Sequence, residues 1–296
     1  MRLSTLGFLV CLVSVTALAQ GTYTQIDVPG AIATFARGVD SFGEIVGGFQ
    51  DSNGFVHGFL LNNAAYRTID YPGAASTVVN GINDQNQLVG ESDIAGFVYD
   101  ISTKVFTPLN YPGANGVTVA MAINNAGTIG GYFAQSSGGV SGFMLSEGTY
   151  TSIAPPGTKN SAVLGISGAG LLVGFAVNGA TNTGLSFYYK QGQYGLLRVP
   201  HYVSTFEGVS NSGITFAGDY GTSVPKGFVY RGANPISIAF PGASSTAAIG
   251  CNDSGQVVGF FTDSGGTHGF LWTPPAGSQL NHFPNWSNFP PGYRRF

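Results

Sequence analysis

A glycine recurs through this chain at Gly47, Gly90, Gly131, Gly174, Gly218 and Gly259, in steps of 43, 41, 43, 44 and 41 residues. In each of six copies it reads as closing an apolar turn. A repeat of about 42 residues implies stacked or radial supersecondary units, because a unit that short cannot bury its apolar face alone. Nothing else in the sequence restricts the fold so strongly.

Three islands recur within each unit. The first is a hairpin signal such as Val39-Asp40-Ser41-Phe42-Gly43-Glu44-Ile45-Val46-Gly47 or Cys251-Asn252-Asp253-Ser254-Gly255-Gln256-Val257-Val258-Gly259. Asp or Asn opens the turn because its side chain bonds the following backbone, and glycine closes it where φ is positive. In the second unit Asn86 stands in for that glycine, and Asn is the next residue to tolerate the left-handed region.

The second island is Gly-Phe in an apolar run: Gly58-Phe59, Gly96-Phe97, Gly142-Phe143, Gly227-Phe228 and Gly269-Phe270, with Ser186-Phe187 in the fourth unit. One large ring per unit in the same layer packs between neighbouring sheets, and the preceding glycine signals a close approach. The third island is a short strand ending at proline, as in Ile69-Asp70-Tyr71-Pro72, Leu109-Asn110-Tyr111-Pro112 and Ile238-Ala239-Phe240-Pro241. Four short strands per unit match a propeller blade.

The ends of the repeat region are complementary. Thr22-Tyr23-Thr24-Gln25-Ile26-Asp27-Val28-Pro29 is a fourth strand without its first three, whereas the last unit runs through three strands to Trp272 and meets Pro274-Pro275. The expected fold is therefore all-β: a six-bladed β-propeller of four-stranded blades over residues 20–274, closed by the N-terminal strand completing the last blade. An open sheet array or β-solenoid gives no reason for this complementarity.

Met1-Arg2 followed by an apolar stretch from Leu3 to Leu18 and Ala17-Leu18-Ala19 reads as a signal peptide over 1–19, cut after Ala19. The stretch is too short for a membrane span, so the mature chain is expected to lack a transmembrane segment and to be secreted, extracellular or periplasmic. Val10 before Cys11 does not fit a lipoprotein cut. Taking Arg2 from the 11 basic residues leaves 10 against 14 acidic ones, a net charge of −4 without runs, which excludes nucleic acid as a partner.

Charged residues make up 8% of the chain, against about 25% in ordinary domains. An uncharged polar surface suits an exported protein and permits neutral partners such as carbohydrate, or a protein of the envelope or exterior. Without Cys11 only Cys251 remains, so no internal disulfide forms. Cys251 occupies the position held elsewhere by Val39, Ile82, Ile123, Ile166 and Val209, which makes it a packed thiol. A monomer without cofactors is expected.

The wording of the islands resembles the extracellular HAF repeat family, in which asparagine-glycine turns alternate with His-Ala-Phe-Leu-Trp strands. The matching residues are His57-Gly58-Phe59-Leu60 and His268-Gly269-Phe270-Leu271-Trp272, with turns such as Asn124-Asn125-Ala126-Gly127. Gly replaces the family's Ala, and Ala95, Ser141, Leu185 and Lys226 stand where its His would be. The resemblance covers Thr22 to Pro274 and implies export and repetition, with no settled activity.

The variable position in the repeat precedes the small residue of each first strand and holds Arg37, Asn80, Met121, Leu164, Glu207 and Ile249. First strands line a propeller's channel, so Arg37, Asn80 and Glu207 are the candidate ligand-binding residues. No catalytic set and no metal site stands out. His57 and His268 share a repeat position that closure would make neighbours, but neither has a partner at ligand spacing; His201 and His282 have none in sequence.

Gly165-Ile166-Ser167-Gly168-Ala169 departs from a nucleophile elbow at Ala169, and Ser167 falls on the turn position. Asp51-Ser52-Asn53-Gly54 and Asp263-Ser264-Gly265-Gly266 are oxygen-rich loops of a kind that can hold calcium, but they lack the further acidic ligands of a full site and turn chemistry alone accounts for them. The Pro- and aromatic-rich tail 275–296 reads as flexible. The leading functional reading is a non-enzymatic binding or interaction scaffold. Its rivals are a glycan hydrolase or lyase using Glu207 with Asp219 or Asp40, and a structural repeat protein of the envelope.

Overall fold

The computed structural model describes residues 21–197, 204–220, 226–231 and 235–276. The signal segment 1–19, His201, His282 and nearly all of the tail lie outside these residues. Among the described residues there are 24 strands and no helix.

Each repeat unit folds as consecutive antiparallel strands. Unit one comprises β2 (Ala33–Val39), β3 (Ile45–Gln50), β4 (Val56–Asn62) and β5 (Ala65–Ile69). Unit two comprises β6 (Thr77–Ile82), β7 (Gln87–Ser92), β8 (Gly96–Asp100) and β9 (Val105–Leu109). Unit three comprises β10 (Thr118–Ile123), β11 (Ile129–Ala134), β12 (Val140–Ser146) and β13 (Thr149–Ile153), and unit four β14 (Thr158–Ile166), β15 (Leu172–Asn178), β16 (Gly184–Lys190) and β17 (Gln193–Leu197). Unit five comprises β18 (Ser204–Val209), β19 (Phe216–Tyr220), β20 (Lys226–Tyr230) and β21 (Ile236–Ile238). Unit six has β22 (Ser245–Cys251), β23 (Val257–Asp263) and β24 (Gly266–Thr273), and β1 (Thr22–Ile26) pairs antiparallel with β24 from Thr22↔Thr273 to Ile26↔Gly269.

The arrangement is propeller-like. Units two to five form four separate four-stranded sheets rather than the six expected, and the other eight strands form one sheet. Its two halves, unit one and unit six with β1, meet at a single parallel pair, Ala33↔Thr267.

The turns follow the chemistry read from the sequence. Asp40 Oδ1 accepts the amides of Phe42 at 3.0 Å and Glu44 at 2.8 Å, and Asn83, Asn124 and Asn252 bond the backbone four residues on in the same way. Asn86 has φ 61°, in the left-handed region that its counterpart Gly43 occupies at 85°. Ser167 Oγ accepts the amide of Leu171 at 3.1 Å, so it is a turn serine.

The repeated glycine has a different role from the one expected. Gly47 does not close the turn; it lies within β3, opposite Phe59 on β4 and Ala36 on β2. A Cβ there would overlap the carbonyl of Phe35 and stand 2.8 Å from Phe59 Cε1. Gly90, Gly131, Gly174, Gly218 and Gly259 are crowded in the same way. The glycine is kept for space, which lets the Phe layer sit flush against the sheet.

Phe59, Phe97, Phe143, Phe187, Phe228 and Phe270 are all at 0% exposure, each worth roughly 2–3 kcal/mol of burial. Apolar clusters join consecutive units: Val46, Leu60 and Ile69 pack with Val79, Leu88 and Phe97, and so on around the chain. A further cluster unites Ile26, Val28 and Val258 with Val39, Ile45 and Phe59, joining the last unit to the first. Buried threonines add a polar staple. Thr34, Thr77, Thr118 and Thr246 accept the amides of Val28, Tyr71, Tyr111 and Phe240 from the preceding proline corner at 2.8–3.1 Å.

Candidate functional site

The six variable residues fall at register shifts in their strands. The ladder slips between Ala36 and Gly38, between Val79 and Gly81, and at the four equivalent places, so Arg37, Asn80, Met121, Leu164, Glu207 and Ile249 are each a bulged residue without a cross-strand mate. The small residue that follows is required by crowding of the backbones: a Cβ on Gly208 would stand 2.5 Å from the Ile249 carbonyl oxygen, and one on Gly165 2.9 Å from the Val209 nitrogen.

All six bulged residues line one chamber of about 80 Å³. The structure therefore brings Arg37, Asn80 and Glu207 together, in the company of three apolar side chains. Beneath them Val39, Ile82, Ile123, Ile166, Val209 and Cys251 form a ring, each 4–8% exposed, that separates this chamber from a second space of about 70 Å³ among the turns.

The turns around that second space are tied from unit to unit. Asn83 Nδ2 donates to the Asn124 carbonyl, Asn124 Nδ2 to the Ser167 carbonyl, and Asn252 Nδ2 to the Asp40 carbonyl, at 2.8–2.9 Å. Asp84 accepts the Ser41 amide at 2.9 Å and the Asn125 side chain at 2.7 Å.

Burial dominates the electrostatics of the first chamber. It pushes Glu207 up to about 7 against the opposing pull of Arg37, and lowers Arg37 despite Glu91, Glu207 and Tyr132. Asp219 is also pushed up to about 7 by burial; the Ala248 amide, which it accepts at 2.8 Å, opposes the shift and Glu207 adds to it. Arg37 Nε and Asn80 Oδ1 have no partner among the described residues, while Asn80 Nδ2 donates to the Ala120 carbonyl at 3.0 Å. Asp40 is pushed up to about 6 by burial, but it lines the turn-side space, beyond the apolar ring from Glu207. Of the two carboxylate pairs weighed from sequence, only Glu207 with Asp219 is electrostatically coupled.

The sequence reading missed the partners of the two histidines. His57 Nδ1 lies 3.0 Å from Asp70 Oδ1 and its Nε2 3.7 Å from Asp51 Oδ2. His268 repeats this with Asp27 at 2.9 Å and Asp263 at 3.5 Å. Both rings lie against a phenylalanine, Phe49 or Phe261, with centroids 5.1 and 5.2 Å apart. The readable signal was that only the units holding His also hold Asp at both flanking repeat positions. Among the described residues no group of three or more His, Cys, Asp or Glu side chains is arranged to hold a metal. Asp51 Oδ1 instead accepts the amides of Asn53 and Phe55 at 2.9 Å, which is turn chemistry.

Cys251 is buried, its thiol donates to the Thr215 carbonyl at 3.4 Å, and burial pushes it up to about 12. It is a packed thiol.

No family model matches the chain, and no curated protein is similar to it in sequence. Solved structures do resemble it. A gluconolactonase of Xanthomonas campestris is 16% identical with a TM-score of 0.52, over 83% of this chain and 89% of that one. The β-propeller domain of the Trilobed protease of Pyrococcus furiosus is 10% identical with a TM-score of 0.52, over 86% and 85%. TolB of Acinetobacter baumannii is 11% identical with a TM-score of 0.50, over 78% of this chain and 64% of that one. The likeness is one of β-propeller fold. The Pyrococcus domain has an open velcro topology, whereas here β1 completes the pairing of β24.

Proposed function

We propose that this chain is an exported, non-enzymatic propeller of six blades, of the HAF repeat type, acting as a monomeric binding or interaction scaffold for carbohydrate or for a protein of the envelope or exterior. The blade count is supported by six bulged first strands and by apolar clusters that run from each unit to the next and from the last to the first. The eight-stranded sheet is then two blades touching at Ala33 and Thr267. Export rests on the sequence of residues 1–19.

One observation carries the non-enzymatic reading: the chamber around Arg37, Asn80 and Glu207 offers about 80 Å³, well below the roughly 300 Å³ at which small-molecule sites begin. An apolar ring closes it below. A space that small does not enclose a sugar ring, so we assign recognition to the outer turns and loops. Burial pushes Glu207 and Asp219 up to about 7, in the range useful to a general acid or base, which is what favours a glycan hydrolase.

The test is a binding and cleavage assay of the purified mature chain against neutral polysaccharides and envelope fractions, with reducing-end release measured in parallel. Binding without cleavage is expected. Release of reducing ends that vanishes in Glu207→Gln would replace this reading with the hydrolase; tight retention by wall fractions alone would favour a structural repeat. No binding to any fraction would overturn the scaffold.

A further inference from the structure

A second concavity, of about 230 Å³, opens between units one and two and is lined by Phe42, Gly43, Glu44, Asn62, Asn63 and Asn86. Three turns build it: β2–β3, β4–β5 and β6–β7. It is nearly three times the size of the channel chamber, and with Phe42, Asn62, Asn63 and Asn86 all exposed it is an open groove on which a ligand rests rather than a pocket that encloses one.

Its most unusual member is Phe42, at 75% exposure. The turn chemistry does not ask for a ring: the equivalent residues are Gln85, Ala126, Ala169, Ser212 and Ser254. Its amide donates to Asp40 Oδ1 at 3.0 Å, so the backbone that presents the ring is held in the Asx turn. Around it stand polar groups without a protein partner. The side-chain amides of Asn63 and Asn86 make no hydrogen bond to any described residue, and both residues hold positive φ, 46° and 61°. Glu44 is oriented by a hydrogen bond from the Asn62 amide. Its counterparts in other units, such as Gln87, Thr128 and Gln256, are uncharged.

An exposed ring face beside free amides and one carboxylate matches a pyranose. The C–H bonds on one face of a sugar ring carry partial positive charge and meet the negative face of the aromatic quadrupole. Asn amides and a carboxylate offer paired donors and acceptors to vicinal hydroxyls. Among the described residues the only charge lining the groove is that of Glu44, which disfavours uronic, sulfated or phosphorylated units. We propose that this groove is a binding site for one hexose unit of a neutral oligosaccharide. It rests on the scaffold reading and gives it a location.

The experiment is affinity electrophoresis and calorimetry of the full mature chain with cellohexaose, mannohexaose and galactohexaose, and with polygalacturonate as the anionic probe. At least one neutral hexaose should bind, and Phe42→Ala should weaken it about tenfold or more while leaving the unfolding midpoint in place. Asn63→Ala, at an exposed turn, should weaken the same hexaose. Binding by none of the three hexaoses, undiminished binding by Phe42→Ala, or preference for polygalacturonate each overturns the site. Undiminished binding by Phe42→Ala still leaves a glycan scaffold, whereas the scaffold reading itself fails only if envelope fractions are also ignored.

Discussion

His268 on β24 and Asp27, just past β1, are 241 residues apart in sequence and 2.9 Å apart in space. The imidazole Nδ1 donates to Asp27 Oδ1, and Gln25 Nε2 donates to the other carboxylate oxygen at 2.6 Å. This polar latch lies on the surface of the joint between the chain's two ends. The joint's buried part is Ile26, 3% exposed, packed in the cluster that links the last unit to the first.

The two parts of the joint should therefore respond differently. His268→Gln is expected to cost at most about 1 kcal/mol, as exposed pairs do, whereas Ile26→Ala should cost about 3 kcal/mol. Urea unfolding of both variants checks this; equal losses would mean that the latch, and not the buried strand, holds the ends.

Removing β1 altogether should leave β24 as a bare sheet edge. Such edges recruit other chains, so a variant lacking residues 22–26 should associate with rising concentration in sedimentation experiments, while the intact chain does not.

Gly47→Ala should lower stability by about 3 kcal/mol, in the range of forced overpacking. Adding Phe59→Leu should recover little of it, because the carbonyl of Phe35 still occupies the space. Recovery in the double variant would show that the ring alone sets the requirement for glycine.

Glu207 makes a pH-dependent contribution of definite sign. Its folded value is about 7 against an ordinary 4.5, so between those values the folded chain holds a proton that the unfolded chain has released. Stability then falls as pH rises through that window and levels off above it. Relative to wild type, Glu207→Gln should gain stability as pH rises from 4.5 to about 7; parallel curves would place the carboxylate in water.

Cys251 should be inert to a thiol reagent in the folded protein and react at the rate of unfolding. Cys251→Val, the residue of Val39 and Val209 at the same repeat position, should change stability by less than about 1.5 kcal/mol. Rapid labelling of native protein would contradict the packed thiol.

Much of the fold was legible because its signals repeat locally: the Asx turn at Asp40, the positive φ at Asn86, the buried ring at Phe59, the complementary ends at Thr22 and Trp272. The bulge at Arg37 was visible only as a position of varying polarity, since a register shift depends on two strands at once. Gly47 was misassigned for a related reason: a glycine needed for space and one needed for positive φ look alike in sequence. The partners of His57 and His268, and the groove beside Phe42, come from loops far apart along the chain. No periodic pattern encodes those meetings, although the shared exceptions in units one and six hinted at the first.

The bulges have a bearing on how such a chain can change. A residue in a ladder is answerable to the strand opposite, but Arg37, Asn80, Met121, Leu164, Glu207 and Ile249 face no such partner. A change at one of these positions thus leaves the pairing on either side of it intact, and what it disturbs is the company in the chamber, where Arg37 and Glu207 act on each other and Asn80 holds the Ala120 carbonyl.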